Sequence, residues 1–199
     1  MNTSSPDNFK IRAGAPEDAE FLADTVMGAL GEELCIGLAE GSDNLPTVKK
    51  LFTNLAALDN SQYSYVNSFI AEDDKGNRAG AVIAYDGAKL HNLRTAFINE
   101  AVKLLGWNVS AEDVENWGDE ASPDEVYIDS IFVSPRYRKT GIASALIKHV
   151  EKEYKSTGKP LGLLVEPENK VARAVYESLG FKEVDISRFF SVPMIHMQK

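Results

Sequence analysis

Apolar and polar positions change period along the chain, and the changes mark out elements. Phe9 to Arg12 alternates and predicts a first strand. Ala13-Gly14-Ala15-Pro16 is a turn, and Pro16, Glu17 and Asp18 suit a helix start, with acids near its positive end. Phe21, Leu22, Val26 and Leu30 follow at helical spacing, with Gly31 as the stop. Gly41 to Leu45 reads as a loop, and Val48, Leu51, Phe52 and Leu55 give the stripe of a second helix. Ser64–Glu72 and Ala79–Tyr85 read as strands around the turn Asp73-Asp74-Lys75-Gly76-Asn77, which predicts a hairpin. The stretch from Asp86 to Asp124 reads as an insertion: an amphipathic helix from Leu90 to Leu105 stopped by Gly106, then an acidic, irregular run with Trp107 and Trp117.

The last third alternates by type. Val126 to Val133 is a strand, Ile142 to Tyr154 a helix and Leu161 to Val165 a strand. Asn169 to Leu179 is a helix stopped by Gly180, Lys182 to Phe190 a strand, and Met194 to Met197 a short final one. Strand–helix–strand of this length implies a parallel pair with a right-handed crossover. The first strand and helix are joined by Ser134-Pro135-Arg136-Tyr137-Arg138-Lys139-Thr140-Gly141. A cationic turn with a glycine before a helix N-terminus makes an anion site, because first-turn N–H groups and the macrodipole favour negative charge. Ligands of parallel pairs bind beyond the carboxyl ends of the strands, which brings Pro135–Gly141 and Glu166–Asn169 to one place. Asn169 stands where an N-cap belongs, and Tyr176 lies two turns into the helix, on its apolar face with Ala172.

Composition sets bounds on this picture. The 199 residues suit a single domain over 1–199, and 44% hydrophobic with 26% charged residues is globular. The apolar runs are too short to span a membrane, and the polar start at Met1–Asn8 is not the charged-then-apolar leader of a secreted chain. The single cysteine, Cys35, rules out an internal disulfide and fits a reducing, cytoplasmic setting; it reads as a small buried hydrophobe. His91, His149 and His196 lack metal-ligand spacing, so no metal is expected. A net charge of −9 argues against nucleic acid as partner and otherwise serves solubility.

The run Val133-x-Pro135-x-x-Arg138-x-x-Gly141-x-Ala143 resembles the acetyl-CoA signature of the GNAT superfamily of N-acetyltransferases. The run Asn169-x-x-Ala172-x-x-x-Tyr176-x-x-x-Gly180-Phe181 is similar to the superfamily's second block, and Ile11-Arg12-x-x-x-Pro16-x-Asp18-Ala19 to its usual opening. The resemblance implies an α/β fold with a central, splayed, mixed β-sheet flanked by helices, and a helical insertion at about 86–124 before the acetyl-CoA-binding strand. It implies acetyl-CoA as acyl donor, its pantetheine pairing with the backbone of Ile131 and Val133 like an extra strand. Arg138, Lys139, Thr140, Gly141, Ile142 and Ala143 would cradle the pyrophosphate, and Phe132, Asn169, Ala172 and Tyr176 would complete the donor site. Two departures are small: Ala143 stands where glycine is commoner, and Lys139-Thr140 replaces a frequent glycine-containing pair and stiffens the turn.

The implied reaction is direct attack of an amine on the thioester. An aliphatic amine with a pKa of about 10 is only ~0.1% neutral at pH 7, so a group must take its proton. Tyr176 is the candidate acid for the departing thiolate, with a phenol pKa of roughly 10, above that of a thiol; its bland role is a core tyrosine. Asp129 is mid-strand among apolar neighbours and faces away from Ile128 and Ser130. It is either the base or a structural carboxylate, and a water chain needs no single base. Glu125 and Glu166 flank the same region, and the amide of Ile131 or Phe132 is placed to polarise the acetyl carbonyl. Tyr85, Asp86, His91 and Arg94 open the insertion, so Tyr85, Asp86 and Asp129 are candidates for the acceptor wall; alternatively the helix packs on the sheet and the acids are a solvated loop. The expected acceptor is a small amine or peptide amine. A catalytically silent CoA-binding module and a binder of another nucleotide are the competing readings, and edge strands near the C-terminus leave room for a homodimer.

Overall fold

The computed structural model describes residues 9–189 and 192–199; the polar start at 1–8 and Phe190, the last residue of an expected strand, lie outside them. The strands are β1 (Phe9–Ala13), β2 (Ser68–Asp73), β3 (Arg78–Asp86), β4 (Val126–Val133), β5 (Leu161–Val165), β6 (Lys182–Phe189) and β7 (Val192–Gln198). The helices are α1 (Ala19–Leu30), α2 (Glu32–Ala39), α3 (Leu45–Ala57), α4 (Leu90–Leu105), α5 (Ala111–Asn116), α6 (Ile142–Glu153) and α7 (Lys170–Ser178). The strands form one sheet in the order β1-β2-β3-β4-β5-β7-β6. Its pairs are antiparallel except β4–β5, which is parallel and bridged by α6 as the crossover.

Both faces are covered. On one, Ile142, Leu146, Ile147 and Val150 of α6 pack on Val82, Ala84, Val126, Ile128, Leu161 and Leu163, with Ala172 and Tyr176 of α7 alongside. On the other, Leu22 and Val26 of α1 and Leu51, Phe52 and Leu55 of α3 pack on Ile70, Ala81 and Ile83, joined by Phe97 of α4. The insertion helix therefore packs into this second core layer, as the bland reading of Leu90–Leu105 has it. An edge-on aromatic series runs Tyr63, Phe97, Trp107, Trp117 and ties the acidic stretch to the body.

Several expectations shift. The second helix starts at Leu45 rather than near Val48, because Pro46 fits a first helical turn, where its missing N–H costs nothing. Gly31 stops α1 at φ 81°, but α2 restarts at once, with buried Cys35 and Ala39, where no helix is expected. Ser64 opens a short 3-10 turn by accepting from the Val66 N–H, so the strand begins only at Ser68. The stretch read as irregular contains α5, started by a reciprocal capping box between Ser110 and Asp113.

The opening motif is structural. Arg12 donates to Asp18 from both terminal nitrogens, at 2.6 and 2.9 Å, and Arg78 Nε donates at 2.6 Å. The Ala15 N–H adds a 2.9 Å bond to the same carboxylate. Burial alone would raise the Asp18 pKa, but the two guanidiniums and the amide hold it down at about 2. A depressed folded-state pKa gives stability that is present above the unfolded value near 4 and is lost as pH falls towards 2. The expected result is a loss of about 2 kcal/mol over that window, absent in Asp18→Asn, read by urea melts at stepped pH.

Candidate active site

The site is made by a fork in the sheet. β4 and β5 pair at only three positions, Val126–Leu161, Tyr127–Gly162 and Ile128–Leu163, and then diverge. The cleft that opens beyond Ile128 is lined from α1 by Gly28 and Leu30, from β4 by Asp129 and Ile131, from β5 by Leu164 and Val165, and from α7 by Ala172 and Tyr176. It has about 220 Å³ of free space and continues into a second hollow of about 250 Å³ along Ile131, Phe132, Val133, Arg138 and Ala143. Gly28, Ile131, Ala172 and Tyr176 border both, so the two form one passage.

Asp129 sits on a β-bulge. Ser130 pairs with Ile83 and Ile128 with the next residue, Ala84, leaving Asp129 as the extra residue of β4. A bulge re-aims side chains and breaks the alternation. This corrects the regular alternation expected of the strand: Val126 and Ile128 share their core layer with Ile131 and Val133, a shift of one across Asp129. Phe132 accordingly points to the α1 side, where a Cβ built on Gly28 would come within 2.4 Å of its ring. Gly28→Ala therefore forces the Phe132 ring towards the second hollow. The expected result is about 1–3 kcal/mol of overpacking and a roughly tenfold higher KM for acetyl-CoA, with the amine KM little changed.

The far hollow fits a pyrophosphate. After the short turn Pro135–Tyr137, Lys139 (φ 63°) and Gly141 (φ 85°) both take left-handed backbone angles before α6. No side chain caps α6, so the first-turn N–H groups at Ile142 and Ala143 are left for a ligand. The Ile142 side chain itself is buried in the core, so only its backbone can serve the site. Lys139 stands where glycine would carry no strain; its conformation costs about 1–2 kcal/mol, and its charge lies beside the anion seat. Thr140 Oγ1 donates to the Tyr137 carbonyl at 2.5 Å, and Tyr137 Oη donates to Asp73 at 2.6 Å, pinning the turn to the β2–β3 hairpin. Arg138 lies over the Phe132 ring at 5.8 Å and donates to the Val133 carbonyl at 3.2 Å.

The near cleft holds the titratable chemistry. Asp129 accepts from Ser130 Oγ at 2.9 Å, Tyr85 Oη at 3.0 Å and Gln62 Nε2 at 3.4 Å. Burial, with repulsion from Glu120 added, outweighs these bonds and pushes its carboxyl up to about 7. Burial also pushes the Tyr176 phenol up to about 12. That phenol is protonated throughout the physiological range, but full transfer to a thiolate with a conjugate pKa of about 8.5 runs uphill. Tyr176 is thus suited to donate a hydrogen bond to a departing sulfur, and the ordering taken from the sequence does not support complete transfer. Asn169 caps α7, its Oδ1 accepting from the Ala172 N–H at 3.1 Å, and it lines the cleft together with Glu166.

Other expected residues lie elsewhere. Asp86 pairs with Val126 at the opposite end of β4, accepts from Lys159 Nζ at 2.6 Å and caps the turn at Ala88, so it is not in the acceptor wall. Glu125 does not flank the cleft either; it is fully buried, accepting from Gln198 and the Ser122 N–H and paired with His196, each at 2.8 Å. Tyr85 reaches the site only through its hydroxyl on Asp129. Tyr63 and Tyr127 line the cleft unforeseen by the sequence, as do Leu34 and Met194.

Comparison with known proteins agrees with this geometry. The sequence model of the Acetyltransferase (GNAT) family matches residues 46–181. A solved acetyltransferase, 31% identical, superposes with a TM-score of 0.73 over 96% of this chain and 98% of its own. An N-acetyltransferase from Staphylococcus aureus Mu50, 20% identical, shares the fold with a TM-score of 0.71 over 96% of this chain and all of its own. Among curated relatives, the ribosomal protein bS18-alanine N-acetyltransferase of Escherichia coli K12 is 41% identical over 66 residues, 33% of this chain and 45% of that protein. Aminoglycoside N(6')-acetyltransferase type 1 of Acinetobacter genomosp. 13 is 29% identical over 96 residues, 46% of this chain and 61% of that protein. The chain thus spans about half the length of the curated relatives it matches. The forked sheet, the uncapped helix after a cationic turn and the match over most of the chain have one reading: this chain belongs to the GNAT acetyltransferase family.

Proposed function

We propose that the protein is an N-acetyltransferase that moves an acetyl group from acetyl-CoA to a primary amine by direct attack. The observation that carries this reading is the pairing, in one passage, of a carboxyl pushed up to about 7 with a protonated phenol on the facing helix. The donor supplies an acetyl group activated as a thioester. The first-turn amides of α6, with Arg138 and Lys139, hold its pyrophosphate, and the β4 edge beyond Ile128 offers its unpartnered backbone to the pantetheine. The Asp129 carboxylate takes the ammonium proton as the amine enters; a base with a pKa near the working pH is both ionised often enough and basic enough to do so. As nitrogen bonds to the acetyl carbon and the carbon–sulfur bond breaks, Tyr176 Oη donates a hydrogen bond to the sulfur, and the departing thiolate takes up the second proton that the nitrogen sheds.

The acceptor side suits a cationic amine with an apolar body. Among the described residues it presents Asp129 and Glu166 but no lysine or arginine, and its walls are Tyr63, Tyr127, Leu30, Leu34 and Met194. We place the protein in the cytoplasm, in keeping with a buried free Cys35. β6, at the sheet edge with Val184 and Ile186 exposed, gives a homodimer a surface to use. The test is a panel of amines, peptide N-termini and aminoglycosides assayed for CoA release, with acetyl-CoA binding measured separately by calorimetry. Turnover of apolar monoamines above acidic or zwitterionic ones supports the reading. Tight acetyl-CoA binding without turnover of any amine sinks it in favour of a silent CoA-binding module, and ATP binding without acetyl-CoA binding points to another nucleotide.

A further inference from the structure

The insertion reaches the site from behind. Arg94 of α4 and Glu120, which follows α5, form an ion pair with both side chains more than nine-tenths buried. The Gln62 side chain, itself 2% exposed, lies between that pair and the cleft. Its Nε2 donates to Glu120 Oε1 at 3.2 Å and to Asp129 Oδ2 at 3.4 Å, while its Oε1 is buried without a partner among the described residues. A buried amide left half satisfied is costly, and a glutamine aimed between two carboxylates is not a packing solution that an apolar residue could not improve on. Asp119, at 3.3 Å from Arg94 Nη1, braces the outer side of the pair.

We propose that Arg94, Glu120 and Gln62 are positioning residues for the reaction, a chain by which the insertion holds Asp129 in place and sets the state in which it meets the amine. The proposal rests on Asp129 being the base. Glu120 supplies the neighbouring negative charge, Arg94 fixes its place through their buried ion pair, and Gln62 Nε2 orients the Asp129 carboxylate while relaying the restraint. The other groups around Asp129 are Tyr85 from β3, Tyr63 from the segment before β2, Tyr127 from its own strand, Tyr176 from α7 and Glu166 at the cleft rim. The four phenols are all pushed above their ordinary range by burial, so none changes charge near neutrality. Glu166 is exposed to solvent and strongly screened. Glu120 is therefore the negative neighbour that counts.

The two ends of the chain act in opposite directions. Glu120→Gln removes the repelling charge and leaves Arg94 cationic, so Asp129 ionises more readily. The acid limb of kcat/KM then moves down by about one pH unit. Gln62→Met removes a donor to the ionised carboxylate, and the limb moves up by a comparable amount. Acetyl-CoA affinity, read by calorimetry, stays within twofold in both, because the donor hollow is built from other residues. Opposite displacements support the proposal; Gln62→Met decides alone if Glu120→Gln does not fold. Limbs unmoved in folded variants, with Asp129→Asn abolishing the limb, overturn the positioning role while sparing the base. A limb that survives in Asp129→Asn overturns both.

Discussion

Asp129→Asn lowers kcat/KM for the amine by about 10²–10⁴-fold near pH 7 and removes the acid limb of the profile, leaving a rate that follows only the free amine. The size follows from the position of the side chain. Asp129 is the extra residue of a bulge at the fork, held by Ser130, Tyr85 and Gln62 and facing the cleft. Asparagine is the same shape and keeps one accepting oxygen, so the loss reports the missing base rather than a collapsed site. The sign is fixed by the raised pKa of about 7: below it the carboxyl is protonated and idle, above it the site is competent. A raised carboxyl pKa also makes the folded protein less stable as pH rises from about 4 through 7, so the charge that serves the reaction is carried at a cost to the fold. Stopped-time assays from pH 5.5 to 9 with saturating acetyl-CoA measure the limb. An unchanged rate and limb would remove Asp129 from the mechanism.

Tyr176→Phe comes next in size: a fall of about 10²-fold in kcat, with acetyl-CoA affinity changed less than twofold. A single donor aimed at developing charge is worth that much when water is excluded, and the phenol on α7 borders both parts of the passage. With its pKa at about 12 the hydroxyl stays neutral over the whole assay range, so the basic limb should be the same in the variant and the parent. A basic limb that disappears in Tyr176→Phe would instead assign the phenol a full proton transfer. Loss of acetyl-CoA binding would return Tyr176 to a packing role beside Phe181, whose ring lies 5.9 Å away.

Much of this was legible in the chain because it is local. The turn Pro135–Gly141, the start of α6 and the Asn169 cap are written in consecutive residues, and the parallel β4–β5 pair follows from strand–helix–strand spacing. The bulge was not legible: alternation along β4 says nothing about how many residues β3 sets against it, and the extra residue appears only in the pairing. Gln62 meets Asp129, and Glu120 with Arg94 meets Gln62, across separations that only the tertiary fold closes. Asp86 and Glu125 were misplaced for a different reason. Both adjoin β4 in space or sequence but at its amino end, whereas ligands gather at the carboxyl ends of parallel strands. Direction along the strand, not nearness in sequence, decides which acids serve a forked sheet.

The three residue pairs that join β4 to β5 give the donor a mechanical part under the proposed function. Among the described residues they are the strand pairs between a four-stranded half and a three-stranded half, and the opening begins where they stop. A pantetheine laid along β4 acts as a splint across that seam. Filling it should slow amide exchange at Leu164 and Val165 and at 130–133 more than in β1 or β2. The melting temperature should climb with the logarithm of acetyl-CoA, by about 2.7 kcal/mol of added stability at a hundred times Kd. Starved of its donor, the protein is a sheet held shut at one end; supplied with it, the seam is laced along its length.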